Sequence, residues 1–278
     1  MIFLDPKSDI AFKKLFSNKE HTEILINFLN NTLMRPEGQQ ITSVTINDPH
    51  NHPEVITGKS SIVDVRCTDK DGTNYILEMQ VVNQHDYAQR AQYYVAIAIS
   101  RQIQKSEDFI AITPVIFIGI VNFKIFESPH YLSHHGIVNL ETGERTFSAQ
   151  EYHFIELKKF DKTVDELTND FDKWVFFFKN AKKLQNIPAQ LKKPQAMQEA
   201  FNILERGNWT NKELESYERS LDLIRERNSQ IATALNEGIE RGKMEIIKQF
   251  LDVLDVATIA EKTGLSLQEI EDLKKQNK

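Results

Sequence analysis

Apolar residues recur at helical spacing twice near the start of the chain. Ile10, Phe12, Leu15 and Phe16 follow Ser8, whose hydroxyl suits an N-cap; Ile24, Leu25, Phe28, Leu29 and Leu33 follow Thr22 in the same relation. Two amphipathic helices are predicted there. Residues 35–58 carry Pro36, Gly38, Pro49, Pro53 and Gly58. They read as a loop holding one short strand near 41–46. Two strand-like runs, 61–68 and 74–82, flank Asp69-Lys70-Asp71-Gly72, the composition of a hairpin turn. The pattern turns helical from Asp86 to about Gln104. Residues 111–121 form an almost unbroken apolar run, typical of a strand buried on both faces. Residues 137–140 and 152–157 suggest further strands. A helix over 161–180 places Phe171, Trp174, Val175 and Phe178 at core spacing.

Beyond Ala181 strand signals fade and Lys, Glu, Gln and Asn become frequent. Phe201, Leu204, Leu221 and Ile224 suggest amphipathic helices, with 185–194 as a linker. The expected division is therefore a domain over 1–184 and a helical region over 185–278. Residues 245–275 read as three short helices broken at Asp255 and at Thr263-Gly264-Leu265, with Ser266 and Glu269 in capping-box spacing. The last two resemble a helix-turn-helix in spacing. Glu269, Glu271 and Asp272 at the leading end of the final helix would repel phosphates. Packing, or self-association into a homo-oligomer, is the better expectation for this end.

The hairpin gathers the chemistry. Its odd positions, Ser61, Val63, Val65 and Cys67, then Tyr75, Leu77, Met79 and Val81, make an apolar face. Its even positions place Asp64 and Arg66, then Glu78 and Gln80, on the other. A three-residue loop, Lys70-Asp71-Gly72, puts Gly72 at the left-handed position and pairs Asp69 with Thr73. The same register sets Asp64 directly opposite Glu78, with β-carbons roughly 4.5–5.5 Å apart. Two like charges so placed need compensation, and a divalent cation with oxygen ligands is the simplest. Mg²⁺ suits both carboxylates; it polarises a phosphodiester and activates water. Gln80 points the same way and is placed to orient that water or a phosphate. The alternative is an exposed polar sheet face whose carboxylates are shielded by Arg66.

Charge and cysteine content narrow the setting. The 278 residues carry a net charge of -6, which excludes a strongly basic nucleic-acid coat but not a local basic patch. Cys67 is the single cysteine, so neither an internal disulfide nor a cysteine-based zinc site is available, and a reducing cytoplasm fits. The first residues, MIFLDPKSD, lack the basic and apolar pattern of a signal peptide, and no apolar run is long enough to span a membrane.

Ile62-Val63-Asp64-Val65 followed by Ile76-Leu77-Glu78-Met79-Gln80 resembles the core of the PD-(D/E)XK nuclease superfamily. More narrowly, the chain resembles the recombination-promoting nuclease / putative transposase family within it. Residues Asp9-Ile10-Ala11-Phe12-Lys13-Lys14-Leu15-Phe16 resemble that family's N-terminal signature. Arg90 with Tyr93-Tyr94 is similar to its helix after the site, and Phe154-Ile155-Glu156-Leu157-Lys158-Lys159-Phe160 to a later block. The resemblance covers about 1–180. It implies an α/β fold, a restriction-endonuclease-like central mixed sheet flanked by helices. It further implies Mg²⁺-dependent (or Mn²⁺-dependent) hydrolysis of DNA phosphodiesters by a mobile-element or recombination nuclease, with Asp64 and Glu78 as metal ligands. One departure stands out. The superfamily's lysine position is Gln80, which supplies a dipole rather than a positive charge. A nuclease-fold protein that binds DNA or protein without useful turnover is therefore the alternative.

Supporting residues each have two readings. Asp9 is either the additional acid that the superfamily places on its first helix or a carboxylate favoured by the helix N-terminus. Lys13 and Arg90 are expected phosphate contacts, though Arg90 serves equally well in a structural ion pair. Tyr87, Tyr93 and Tyr94 are expected to pack rather than stack on bases. Glu156-x-Lys158 is a rival acid-x-lysine element without a well-placed aspartate before it. His130, His134 and His135 sit in an expected loop without a carboxylate partner, a poor zinc site.

Overall fold

Ser8 starts the first helix as its hydroxyl predicts. Its Oγ accepts the Ala11 N–H at 3.2 Å, and helix α1 runs Asp9–Phe16. Ala11, Phe12, Leu15 and Phe16 are buried, which leaves Asp9 and Lys13, one turn apart, on the flank. Helix α2 spans Thr22–Leu33, but Thr22 is its first residue rather than its cap; His21 holds the N-cap position and makes no side-chain cap bond. The computed structural model describes residues 1–48, 50–51, 61–84, 86–103, 108–251 and 253–276. The expected loop residues 49 and 52–58, and Gln104, lie outside them, as do the side chains of Ser61 and Ile62.

The strands are β1 (Val44–Ile46), β2 (His50–Asn51), β3 (Ser61–Ile62), β4 (Val65–Asp69), β5 (Asn74–Gln80), β6 (Val115–Val121), β7 (Leu132–Gly136) and β8 (Gln150–Glu156). Helix α3 covers Tyr87–Ser100 between β5 and β6, and α4 covers Asp170–Asn180 after β8. Six strands form one mixed sheet in the order β1-β4-β5-β6-β8-β7, and β2 pairs with β3 separately. The fold is thus α/β, with a central mixed sheet flanked by helices.

The hairpin register follows from its loop. Gly72 takes φ +85°, which glycine adopts without a Cβ clash. Asp69 Oδ1 accepts the N–H groups of Asp71 and Thr73 at 2.9 Å each, and the Asp69 N–H donates to the Thr73 carbonyl at 3.0 Å. Val65 then faces Leu77 and Thr68 faces Asn74, the register expected from the loop. Two features depart from expectation. The strand is interrupted at Val63 and Asp64, so Val63 packs on the face of Ile76 instead of with Val65. The even face is not solvated either. Strand β6 pairs in parallel along the whole of β5, and Tyr87, Ala91 and Val95 of α3 join Val63, Ile76, Phe117 and Phe154 in a core over that face.

The larger core lies on the opposite face, where Val65, Cys67, Tyr75, Leu77 and Met79 meet the helices. Phe28 stands edge-on to Trp174 and Phe178, with ring centroids at 5.6 Å, and Phe12 and Phe16 close the cluster from α1. The Trp174 indole N–H donates to Asn27 Oδ1 at 2.9 Å, which satisfies the polar edge of a fully buried ring.

The edge strand is β7 at Leu132–Gly136; residues 137–140, expected as a strand, are exposed loop. His134 and His135 therefore lie on a strand rather than in a loop. Helix α4 begins later than expected, at Asp170, where the Asn169 side chain accepts the Asp172 N–H at 2.8 Å.

The chain divides into two compact units, Met1–Asp222 and Leu223–Lys278. The boundary expected at 184/185 falls inside the first, because helix α5 (Gln195–Leu204) places Met197, Phe201 and Leu204 in the main core. Helix α6 runs unbroken from Asn211 to Phe250, so the first of the three short helices expected over 245–275 is instead the end of this long one. Helices α7 (Val256–Thr263) and α8 (Leu267–Gln276) follow; Asp255 caps α7, and Ser266 and Glu269 form the expected capping box. Ile247, Leu251, Ile259 and Ile270 make the small core of the second unit. Among the described residues no helix is long and apolar enough to cross a membrane.

Candidate active site

Asp64 sits where the strand breaks, and the break aims it. Its Oδ2 accepts the Met79 N–H at 2.7 Å, so a carboxylate takes the place of the missing strand carbonyl on β5. The Asp64 backbone N–H lies near enough to favour the charged form of the Glu78 carboxylate. Glu78 itself is only 5% exposed, and its Oε1 is buried with no hydrogen-bond partner. Two carboxylates thus lie near each other, one with an oxygen buried and without a partner.

The electrostatics record the strain of that arrangement. Burial pushes the Asp64 carboxyl up to about 7, against the lowering effect of the Met79 N–H; nearby Asp9 pushes it up further and Lys13 draws it down. Burial also drives Glu78 well above the ordinary carboxylate range, with the Asp64 charge adding to the rise and Arg90 and Lys13 opposing it. Both groups favour a proton or another cation between them.

Helix α1 brings the remaining charges. Lys13 Nζ lies 2.8 Å from Asp9 Oδ1, a pair one turn apart, and Asp64 and Glu78 both act on the Lys13 ammonium. Asp9 is close enough to hydrogen-bond the Asp64 carboxyl. Burying Phe12 and Phe16 on the far side of α1 is what turns Asp9 and Lys13 this way.

Gln80 and Arg90 form a second pair at the end of β5. Gln80 Oε1 accepts from Arg90 Nη2 at 3.1 Å, while its Nε2 donates to the Val82 carbonyl at 2.9 Å. Arg90 also hydrogen-bonds Gln84 and lies over the Tyr87 ring, 5.5 Å from its centroid. Gln80 therefore holds the guanidinium in place, and that charge reaches Glu78.

Sequence reasoning did not anticipate the floor of the site. Tyr87 is fully enclosed, and its hydroxyl sits 2.7 Å from where a Cβ on Gly119 would be. Gly119 pairs with Glu78 across β5 and β6, so this glycine makes room for the ring beside the carboxylate. A glycine inside an apolar strand was the available signal. Tyr94 is also influenced by the Glu78 and Asp64 charges.

The rival Glu156-x-Lys158 element has no free chemistry. Glu156 is fully buried; its Oε1 accepts the N–H groups of Ile125 (2.5 Å) and Phe126 (3.3 Å), and its Oε2 binds Lys159 Nζ at 2.5 Å. It braces the segment after β6. Lys158 points to solvent. His134 meets His153 of β8 at 4.3 Å between ring centroids instead of joining His130, which is exposed.

A sequence model of the family described as PD-(D/E)XK nuclease family transposase matches residues 6–234. The chain belongs to this family. It is a nuclease-fold protein of a mobile-element-associated group, and PD-(D/E)XK nucleases generally use divalent metals. Comparison with curated proteins gives no match, and comparison with solved structures gives none. Asp64 and Glu78-x-Gln80 are the elements of this chain that resemble the PD-(D/E)XK formula, with glutamine at the lysine position. The residues present fit a divalent ion on their own evidence too, since Glu78 Oε1 is buried and unpartnered beside a second carboxylate.

Proposed function

We propose that this chain is a Mg²⁺-dependent DNA endonuclease (Mn²⁺ serving as substitute) acting in mobile-element or recombination chemistry. The carrying observation is the pair Asp64 and Glu78: Asp64 accepts the Met79 N–H next to Glu78, whose Oε1 is buried without a hydrogen-bond partner. These two would hold the ion, which when bound supplies Lewis acidity toward a phosphodiester and a more acidic water.

The chain's own residues have distinct roles in this reading. Lys13 delivers from α1 the positive charge that Gln80 lacks, and draws a phosphate toward the carboxylates. Arg90 adds a planar donor set for a phosphate oxygen, held by Gln80 and Gln84. Asp9 orients the Lys13 ammonium and carries a proton-accepting oxygen next to Asp64. The packed floor of Tyr87, Phe117 and Phe154 excludes water from beneath Glu78. An acidic chain thereby meets DNA through a local cationic pair rather than a basic coat.

The same proposal includes a cytoplasmic setting and self-association through the C-terminal helices. Leu235, Ile239 and Ile246 stand exposed along α6 and offer apolar surface for it. The second reading, a DNA- or protein-binding member without turnover, draws on Gln80, whose amide is already committed to Val82 and Arg90.

Supercoiled plasmid incubated with the purified chain and Mg²⁺ tests the choice. Nicked or linear product that disappears with EDTA and with Asp64→Ala or Glu78→Ala supports the nuclease. DNA retention without any metal-dependent product supports the second reading. Cutting that survives both substitutions places the chemistry elsewhere.

A further inference from the structure

A second group of metal-type ligands lies away from Asp64 and Glu78. Among the described residues, His21, Glu23 and Glu199 bring one ligand atom each within 4.8 Å of one another. By geometry no such atom lies more than about 2.8 Å from a common centre, against the roughly 2.0–2.2 Å of zinc's bonds to nitrogen and oxygen. Sub-ångström side-chain adjustment closes that difference, and Glu23 is exposed and free to make it.

Two further observations point to a ligand. The Glu199 Oε2 atom is shielded from solvent and has no hydrogen-bond partner, while its Oε1 accepts from Gln195 Nε2 at 2.9 Å. One oxygen is thus oriented and the other left bare, the arrangement of a ligating carboxylate supported from outside. His21 occupies the N-cap position of α2 without capping it, and among the described residues its ring makes no hydrogen bond. His21 and Glu199 also line a cavity of about 240 Å³, together with Asn18, Asn202 and Lys14.

The local charges are compatible with a cation. The N-terminus of α2 is the positive end of that helix, but Glu23 stands in its first turn and offsets it. Lys14 shares the cavity, but its charge is already paired, with Nζ 2.5 Å from Glu213 Oε1 and 4.4 Å from the centroid of the Trp209 ring. Two carboxylates balance a divalent charge.

We propose that His21, Glu23 and Glu199 form a second metal site, for a borderline divalent ion such as Zn²⁺ rather than Mg²⁺. One nitrogen and two oxygens select that class, because Mg²⁺ prefers an all-oxygen octahedron. Water completes the coordination. The ion ties the start of α2 to α5, beside the helix that carries Asp9 and Lys13. The site is independent of the nuclease reading and stands whether or not DNA is cut.

The test uses the full chain carrying Asp64→Asn and Glu78→Gln, so that the carboxylate pair does not contribute. Zn²⁺ titration by calorimetry, with the thermal midpoint followed in parallel, is repeated after adding His21→Ala, Glu199→Gln or Glu23→Gln. One equivalent of Zn²⁺ and a raised midpoint are expected before the additions. Each addition is expected to weaken binding by at least the roughly 10-fold that an outer-sphere partner is worth, and to abolish the midpoint rise. Mg²⁺ should give neither effect. Glu23 is exposed, so its variant reports even if a buried substitution prevents folding. Absence of Zn²⁺ uptake at micromolar concentration, or uptake unchanged in the variants, overturns the proposal.

Discussion

Replacing Asp64 by Asn should make the metal-free protein more stable at alkaline pH, although it removes a residue of the proposed centre. The Asp64 carboxyl ordinarily titrates near 3.8 and is pushed up to about 7 in the fold, chiefly by burial. The folded chain therefore holds that proton more tightly than the unfolded chain does. Stability is lost as pH rises from the unfolded value through the folded one. Three units at about 1.4 kcal/mol each give a loss of about 4 kcal/mol above pH 7 as an upper bound. Water entry and movement of Lys13 relieve part of it, leaving about 2 kcal/mol. Asparagine keeps an oxygen for the Met79 N–H and carries no charge, so it escapes the loss. For a unit of this size 2 kcal/mol is about 4–8 °C in midpoint. Thermal or urea unfolding in EDTA, run at pH 4.5 and pH 8, reads the effect directly. The variant should gain about 2 kcal/mol at pH 8 and differ by under about 1 kcal/mol at pH 4.5. A variant that is less stable than the parent at pH 8, or that keeps the parent's pH slope, refutes the reasoning.

Other perturbations separate the roles. Lys13→Met should lower DNA cleavage by roughly 10²–10³-fold while leaving metal affinity close to the parent's, measured by single-turnover kinetics beside a metal titration. Gly119→Ala forces a methyl to within 2.7 Å of the Tyr87 hydroxyl and 3.1 Å of Phe154; it should cost about 1–3 kcal/mol in urea unfolding. Glu156→Gln leaves buried Lys159 without its carboxylate and should cost about 3 kcal/mol. It should nevertheless leave cleavage per folded molecule unchanged, which distinguishes a brace from a catalytic acid.

The parts of the site that were legible in the sequence are those fixed by local chemistry. Gly72 and Asp69 dictate the loop, and the loop dictates the register as far as Val65 opposite Leu77; the expected pairing of Asp64 with Glu78 falls just beyond it, where the strand breaks. Helical spacing likewise separates Asp9 and Lys13 from Phe12 and Phe16. What was illegible depends on partners distant in sequence. The parallel pairing of β6 with β5 buries Glu78, and nothing in the hairpin announces it. The break at Val63, which turns Asp64 toward the Met79 N–H, is a departure from alternation that an alternating pattern cannot reveal. Residues 137–140 are apolar enough for a strand, yet the edge of the sheet is taken by Leu132–Gly136, whose pairing with β8 sets His134 against His153. Nor does spacing connect His21 with Glu199, which meet only because α2 and α5 pack together in the main core.

Manganese uptake followed by electron paramagnetic resonance tests the central claim most directly. The chain should carry His21→Ala, which silences the second cluster. One tightly held Mn²⁺ is expected, weakened by at least roughly 10-fold in both Asp64→Asn and Glu78→Gln. Uptake that is the same in all three chains would contradict a shared ion at Asp64 and Glu78.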